Sequence, residues 1–223
     1  LTHADWLGLL VDREITHRRD KRLATRLRYA RLRHNAVIED VDYRAPRGLI
    51  AAGNLTLNTQ GLLDNRAGLI QADNLVALKA GSLNNRDTLA NGIAGAGAAT
   101  TAQAGATPTS ISALGVMGKQ VALNATAIDN QSGRIGAGQD LSVATGTLDN
   151  TSGNVSSDAN AKLAVNSLTN GSGAVTAGKS LELTTDNLDN DGKLHAGQDL
   201  TITANTLTNR ATGELIALRN NTL

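Results

Sequence analysis

The residues of this 223-residue chain that could do chemistry fall into four groups. Gly178-Lys179-Ser180 resembles the tail of a phosphate-binding loop, in which backbone N–H groups cradle phosphates and the lysine neutralises them. Two sets of carboxylates, Asp140 with Asp199 and Asp129 with Asp149 and Asp189, recur at fixed offsets, as paired acids or calcium ligands would. His195 is a single imidazole of the kind that ligates metals. Arg18, Arg19, Arg22, Arg26 and Arg33 crowd one stretch and are candidate contacts to a phosphate backbone.

Each group has a plainer reading in the element that must carry it. The run Gly171-Ser172-Gly173-Ala174-Val175-Thr176-Ala177-Gly178-Lys179-Ser180 is read as lacking the spacing of G-x-x-x-x-G-K-[ST], and Ala177-Gly178-Lys179-Ser180 occupies the slot held elsewhere by Gly138-Gln139-Asp140 and Gly197-Gln198-Asp199, so it reads as a repeated turn, and no ATP site is expected. The calcium repeat G-G-x-G-x-D is absent, and Lys179, Thr169 and Thr208 interrupt the two acidic columns. Those acids read as solvated or turn-capping groups. His195 stands where Gly136 and Thr176 stand, and reads as a surface residue. The arginines are diluted by Asp12, Glu14 and Asp20, and read as the solvated face of a helix. No catalytic residue, cofactor or metal site is therefore expected, and the chain reads as a non-enzyme.

The elements follow from a period. Asn65, Asn85, Asn130, Asn150, Asn170, Asn190 and Asn209 close the segments LLDN, SLNN, AIDN, TLDN, SLTN, NLDN and TLTN, at steps of 20, 45, 20, 20, 20 and 19. Within each unit apolar residues alternate, as in Leu141 and Val143, Leu181 and Leu183, or Leu200 and Ile202, which is the period of a strand. A 20-residue unit of short strands cannot bury its own apolar face, but stacked units can. The prediction is an all-β, parallel β-helix solenoid of about 20-residue coils over 49–223. Leu148, Leu168, Leu188 and Leu207 form one inward column in this reading. The seven asparagines form a corner ladder that can satisfy turn amides, at residues tolerant of left-handed backbone. The 175 residues hold about nine coils in a rod about 40 Å long, at about 4.8 Å per coil. The 45-residue step is either two degraded coils or a looped insertion, and residues 90–118 are expected to be irregular.

Residues 1–48 differ sharply. They hold 11 Lys/Arg against 7 Asp/Glu, whereas 49–223 hold 10 against 13, and they contain all three aromatic residues, Trp6, Tyr29 and Tyr43. A composition break of this kind marks a boundary near Gly48. Trp6, Leu10, Leu23, Leu27 and Ala30 make an apolar stripe at helical spacing, so a short basic α-helical segment is predicted there. The absence of cysteine excludes disulfides and zinc–thiolate sites. No apolar run is long enough for a transmembrane helix. No signal peptide is legible after Leu1, and the chain reads as a fragment or a processed piece.

The stretches IAAGNLTLNTQGLLDNRAGLI, IGAGQDLSVATGTLDNTSG and LHAGQDLTITANTLTNRATGE resemble the repeats of bacterial filamentous haemagglutinins and contact-dependent growth inhibition exoproteins, over about residues 50–223. That resemblance implies a right-handed, extracellular β-helical stalk. It also implies secretion through a partner pore of the outer membrane, and partners on a host or neighbouring-cell surface. By contrast, WLGLLVDREITHRRDKRLATRLRYARLRHNAVIEDVDYRAPRGL resembles the amino-terminal region of IstB-like ATP-binding helpers of transposition. In that family the ATPase core comes after this segment, so ATP binding carries over to no residue here. The expected function is a secreted or cell-surface, non-catalytic adhesin stalk fragment. The alternative is a cytoplasmic, nucleic-acid-binding transposition accessory without its ATPase core. The juxtaposition reads as an insertion-element or assembly join in a large adhesin gene.

Overall fold

The computed structural model describes residues 48–89 and 114–223, all within the unit Ala45–Leu223. The segment predicted to be helical, with its five arginines at 18–33, lies outside the described residues. The described part is all strand, stacked as a parallel β-solenoid of about 8 turns.

The first coil is β1 (Leu49–Ala51), β2 (Leu55–Asn58) and β3 (Leu62–Asp64). The second is a single long strand, β4 (Leu69–Asn84), and the third is β5 (Gly115–Asp129). Four coils of one short and one long strand come next: β6 (Arg134–Ala137) with β7 (Leu141–Asp149), β8 (Asn154–Ser157) with β9 (Ala161–Asn170), β10 (Ala174–Ala177) with β11 (Leu181–Asn190), and β12 (Lys193–Ala196) with β13 (Asp199–Asn209). The eighth coil is β14 (Glu214–Ala217) and β15 (Asn220–Thr222). Each strand pairs in parallel with its equivalent in the next coil, for example Leu141↔Ala161, Ala161↔Leu181 and Leu181↔Leu200.

The long strands bend once. In the β5–β7 pair the register runs through Ala125↔Thr145 and resumes at Ala127↔Thr147, leaving Thr126 and Gly146 unpaired at a corner. Each coil thus presents three short faces. Alternation sends Leu141, Val143, Thr145 and Leu148 inward while Ser142 and Thr147 face out. The core is a bundle of such columns, aliphatic almost throughout. One of them is Ile70, Val116, Ile135, Val155, Val175 and Leu194, each no more than 1% exposed.

Strand β4 pairs with β5 over Leu69↔Gly115 to Asn84↔Asp129, with one irregularity between Ala72 and Leu75. No coil therefore lies between these two strands in the stack. The solenoid steps directly from the second coil to the third, which gives eight coils where division of length by period gives nine. Seven steps at about 4.8 Å make a stack about 34 Å high. Regular pairing resumes at Gly115, inside the stretch 90–118. At this re-entry the backbone of Gly115 has φ +115°. A Cβ there would also collide with the carbonyl of Arg134, so glycine is required on both counts.

The leucine column also ends differently. Leu148, Leu168 and Leu188 are at most 2% exposed, and Leu207 pairs with Leu188 in register but is 37% exposed. The eighth coil supplies only its first two strands, so no residue stacks on Leu207. Truncating Leu168 to alanine should cost about 2–5 kcal/mol through lost burial and a cavity. Leu207→Ala should cost well under half of that. Urea unfolding followed by far-UV circular dichroism measures both, and equal losses would contradict the column as described.

Candidate functional site

The most specific chemistry in the fold is the corner that closes each coil. Asn65, Asn85, Asn130, Asn150, Asn170, Asn190 and Asn209 lie one above another, and each Nδ2 donates to the Oδ1 of the next. The six links measure 2.7 to 2.8 Å. The link from Asn85 to Asn130 spans 45 residues of sequence yet is 2.7 Å long. A second amide hydrogen is used on main chain. Asn85 donates to the Arg134 carbonyl at 2.9 Å, Asn150 to Ala174 at 3.1 Å and Asn170 to Lys193 at 3.3 Å. Asn85, Asn130, Asn150, Asn170 and Asn190 are wholly buried. Every carboxamide points the same way along the stack, so the dipoles add and each bond polarises its neighbours.

The residues around the asparagine fit it to the corner. The glycine three residues on lies against the preceding coil. A Cβ at Gly173 would strike the carbonyl of Asn150, and one at Gly153 that of Asn130. The left-handed backbone predicted for the asparagines falls two residues later instead, on Ala67, Asp87, Ser132, Ser152 and Ser172, with φ between 48° and 60°. The asparagines either end a strand, as Asn170, Asn190 and Asn209 do, or come directly after one, and none of them has a positive φ. The corner tolerates one residue less at Asn190-Asp191-Gly192 and one more at Asn209–Gly213, and the ladder link across them stays at 2.7 Å.

The acidic column beside the ladder caps the turns. Oδ1 of Asp64, Asp129 and Asp149 accepts from the backbone N–H two residues on, at 3.2, 3.2 and 3.0 Å. The same carboxylates and their neighbours cross-link coils: Arg86 with Asp129 at 3.2 Å, and Gln131 to Asp149 at 2.7 Å. Arg210 grips Asp189 through two bonds of 2.6 Å, and Arg219 meets Asp199 at 2.6 Å. These two arginines hold the carboxyls of Asp189 and Asp199 below the usual aspartate range, and their own guanidinium groups are shifted upward in turn. For Asp199, Asn220 adds a bond of 2.7 Å. Asp140 accepts from Asn160 one coil on, at 3.0 Å. His195 contacts Glu214 across coils at 2.8 Å and is 30% exposed. Among the described residues no three His, Cys, Asp or Glu converge as metal ligands.

The phosphate-loop motif needs a correction in its letters as well as in its geometry. Gly173-Ala174-Val175-Thr176-Ala177-Gly178-Lys179-Ser180 does fit the spacing G-x-x-x-x-G-K-S, so spacing alone does not dismiss it. Its position does. The four residues between the glycines are strand β10, paired on both sides by β8 and β12. The N–H groups of Gly178 and Lys179 donate to the carbonyls of Ser157 and Ala159 at 2.9 and 2.8 Å. A phosphate would find no free main-chain donor from those two residues, and no helix comes after them to add one.

Among the described residues, two shallow grooves run across the stacked strands β2, β4, β5, β7 and β9. One, of about 430 Å³, runs past Gln120, Asp140, Ser142, Asn160 and Lys162. The other, of about 380 Å³, runs past Thr56, Asn58, Lys79, Asn124 and Ala144. Their floors are small side chains, with Ala122 and Ser142 common to both.

Comparison with known proteins divides the chain. Residues 118–184 and 159–223 match the family described as haemagglutinin repeat. Residues 1–73 match the family described as IstB-like ATP binding protein. Two insertion sequence ATP-binding proteins of Sinorhizobium fredii are 65% identical over 49 residues and 60% identical over 47 residues, or 22% and 21% of this chain. The chain spans 20% and 19% of the length of those relatives. No solved structure matches the chain.

Asn150→Ala removes two ladder links and leaves the buried Asn170 Oδ1 and the part-buried Ala174 carbonyl without that donor. Stability to urea should fall by about 3 kcal/mol, whereas substituting the exposed Asn166 should change it by less than about 0.5 kcal/mol. The arginine pairs give a pH dependence. Because the folded carboxyls titrate below the unfolded value of about 3.9, their stabilisation is complete above that value and is lost as pH falls through the lowered one. On acidification, the protection factors of amides in β14 and β15, corrected for the intrinsic pH dependence of exchange, should fall before those in β7 and β9. In Arg219→Gln they should already be lower at neutral pH and respond less to acid. Added salt should mimic part of the acid effect, because these pairs are exposed.

Proposed function

We propose that residues 49–223 are a non-catalytic stalk segment of a secreted bacterial filamentous adhesin or contact-dependent inhibition exoprotein. Its work is reach. The observation that carries this reading is the in-register stack of coils joined by a buried polar ladder, in the residues that match the haemagglutinin repeat. Such a stack resists bending, because every backbone link and every inward column runs along its axis. Its outer faces carry polar and charged side chains, and Asp64, Asp129 and Asp149 cap turns while Asp140, Asp189 and Asp199 pair with an asparagine or an arginine one coil on. Surface adhesion would use these faces or edge loops. Engagement of a host or neighbouring cell, and passage through a secretion pore, would fall to other regions of a longer extracellular protein.

A second reading rests on the match of residues 1–73 to the IstB-like family and on the identity of 65% over 49 residues. In it, the basic segment with Arg18, Arg19, Arg22, Arg26 and Arg33 contacts a nucleic acid backbone as a transposition accessory. The family match runs on to residue 73, yet residues 49–73 form the first coil and the start of the second, paired through Leu49↔Ile70 and Leu55↔Val76. The phosphate-binding chemistry of an ATPase has no counterpart among the described residues.

The two readings separate on the full chain beside a version lacking residues 1–48. The stalk reading expects a strand-dominated circular dichroism spectrum and the same thermal melt in both. It also expects no duplex DNA binding by residues 49–223. Loss of the melt on truncation would contradict an independent stalk. Salt-dependent DNA binding by the full chain that disappears when the five arginines are neutralised would favour the second reading.

A further inference from the structure

One ladder asparagine differs from its six counterparts in its C-terminal neighbour. Asn170 precedes Gly171, whereas the others precede Arg66, Arg86, Gln131, Thr151, Asp191 and Arg210. The backbone N–H at this next position is elsewhere engaged. Arg66, Gln131 and Thr151 donate to the capping aspartates, Arg86 to Asn84, Asp191 to the Asn170 carbonyl and Arg210 to the Asn190 carbonyl. In this coil Thr169 replaces the capping acid, and among the described residues the Gly171 N–H has no hydrogen-bond partner.

We propose that Asn170–Gly171 is a deamidation site held shut by the ladder. The reaction needs only water. The Gly171 nitrogen, having lost its proton to solvent, attacks Cγ of Asn170. The bond from Cγ to Nδ2 breaks, and the nitrogen leaves as ammonia, giving a five-membered succinimide. Water then opens the ring at either carbonyl, leaving aspartate or isoaspartate at position 170. Glycine at the next position permits the approach, because no side chain stands in the way.

In the folded coil the attack is blocked by the bonds that grip the carboxamide. Oδ1 accepts from Asn150 at 2.8 Å, and Nδ2 donates to Asn190 at 2.7 Å and to the Lys193 carbonyl at 3.3 Å. The side chain is wholly buried, so Cγ cannot turn toward Gly171 without breaking the ladder. Opening of the stack at this coil exposes the reaction, and the product then prevents reclosure. An aspartate at 170 would set the oxygen that replaces Nδ2 against Asn190 Oδ1 and the Lys193 carbonyl, two acceptors, in a buried place. A transient opening between β9 and β11 thus becomes permanent.

The test follows Asn170 in the full chain by mass spectrometry of the tryptic peptide Leu163–Lys179, in mildly alkaline buffer with and without denaturing urea. In urea, conversion at Asn170 should outpace that at Asn130, Asn150 and Asn166. Without urea it should be slower by about tenfold or more, since reaction waits on local opening. Asn150→Ala, which frees Asn170 Oδ1, should accelerate conversion in the absence of urea. Equal rates in the folded and unfolded chain would overturn the proposal, as would an Asn170 no faster than Asn150 in urea. Asn170→Asp should lower the urea midpoint where Asn166→Asp leaves it unchanged. An unchanged midpoint in Asn170→Asp would overturn the claim that the product cannot reclose.

Discussion

A coil of about 20 residues leaves every strand edge unpaired above and below, so each coil depends on its neighbour for both its backbone hydrogen bonds and its core. That dependence requires the same register at every step. A slip of one residue would turn Leu163 outward and Lys162 inward, reversing the whole column. Backbone pairing alone penalises such a slip only weakly, since one parallel rung resembles the next. The asparagine ladder penalises it strongly, because a misplaced carboxamide leaves a donor and an acceptor buried and unmet. The ladder therefore fixes register at one corner of each coil, and the columns of Leu, Ile and Val fill the rest.

The corner explains why its sequence is so restricted while the faces vary. Asparagine supplies a donor and an acceptor on one short side chain. The residue before it caps the turn. The residue two positions after it turns the chain through left-handed backbone, and the glycine after that lies against the previous coil. On the outer faces only the alternation matters, and Ser142, Lys162, Glu182 and Thr201 succeed one another in a single exposed column, with a Lys162–Glu182 pair at 2.7 Å. The first and last coils are less well covered. Leu62, Ile216 and Leu218 are exposed there.

Much of this was legible in the sequence, because strand alternation and the asparagine period are properties of side-chain type alone. The inward column through Leu148, Leu168 and Leu188 and the parallel stacking both arise from them. Three features were less legible, each for a physical reason. The left-handed residue falls on serine or alanine as readily as on asparagine, so composition misplaces it by two positions. The coil count depended on whether the residues between Asn85 and Asn130 pair, which a length divided by a period cannot decide. The letters G-A-V-T-A-G-K-S fit a phosphate loop, and only the pairing of β10 on both sides shows its turn amides to be spent.

The most direct test of the central claim is hydrogen exchange of the asparagine side-chain amides, resolved by nuclear magnetic resonance in the folded protein. If the ladder is continuous, the Nδ2 protons of Asn85, Asn130, Asn150, Asn170 and Asn190 exchange far more slowly than those of the exposed Asn166. The slow set should also lose protection together as urea approaches the unfolding midpoint. Fast exchange at the ladder positions, in a protein whose backbone amides remain protected, would contradict the account: the coils would then be held by strand pairing and the core alone.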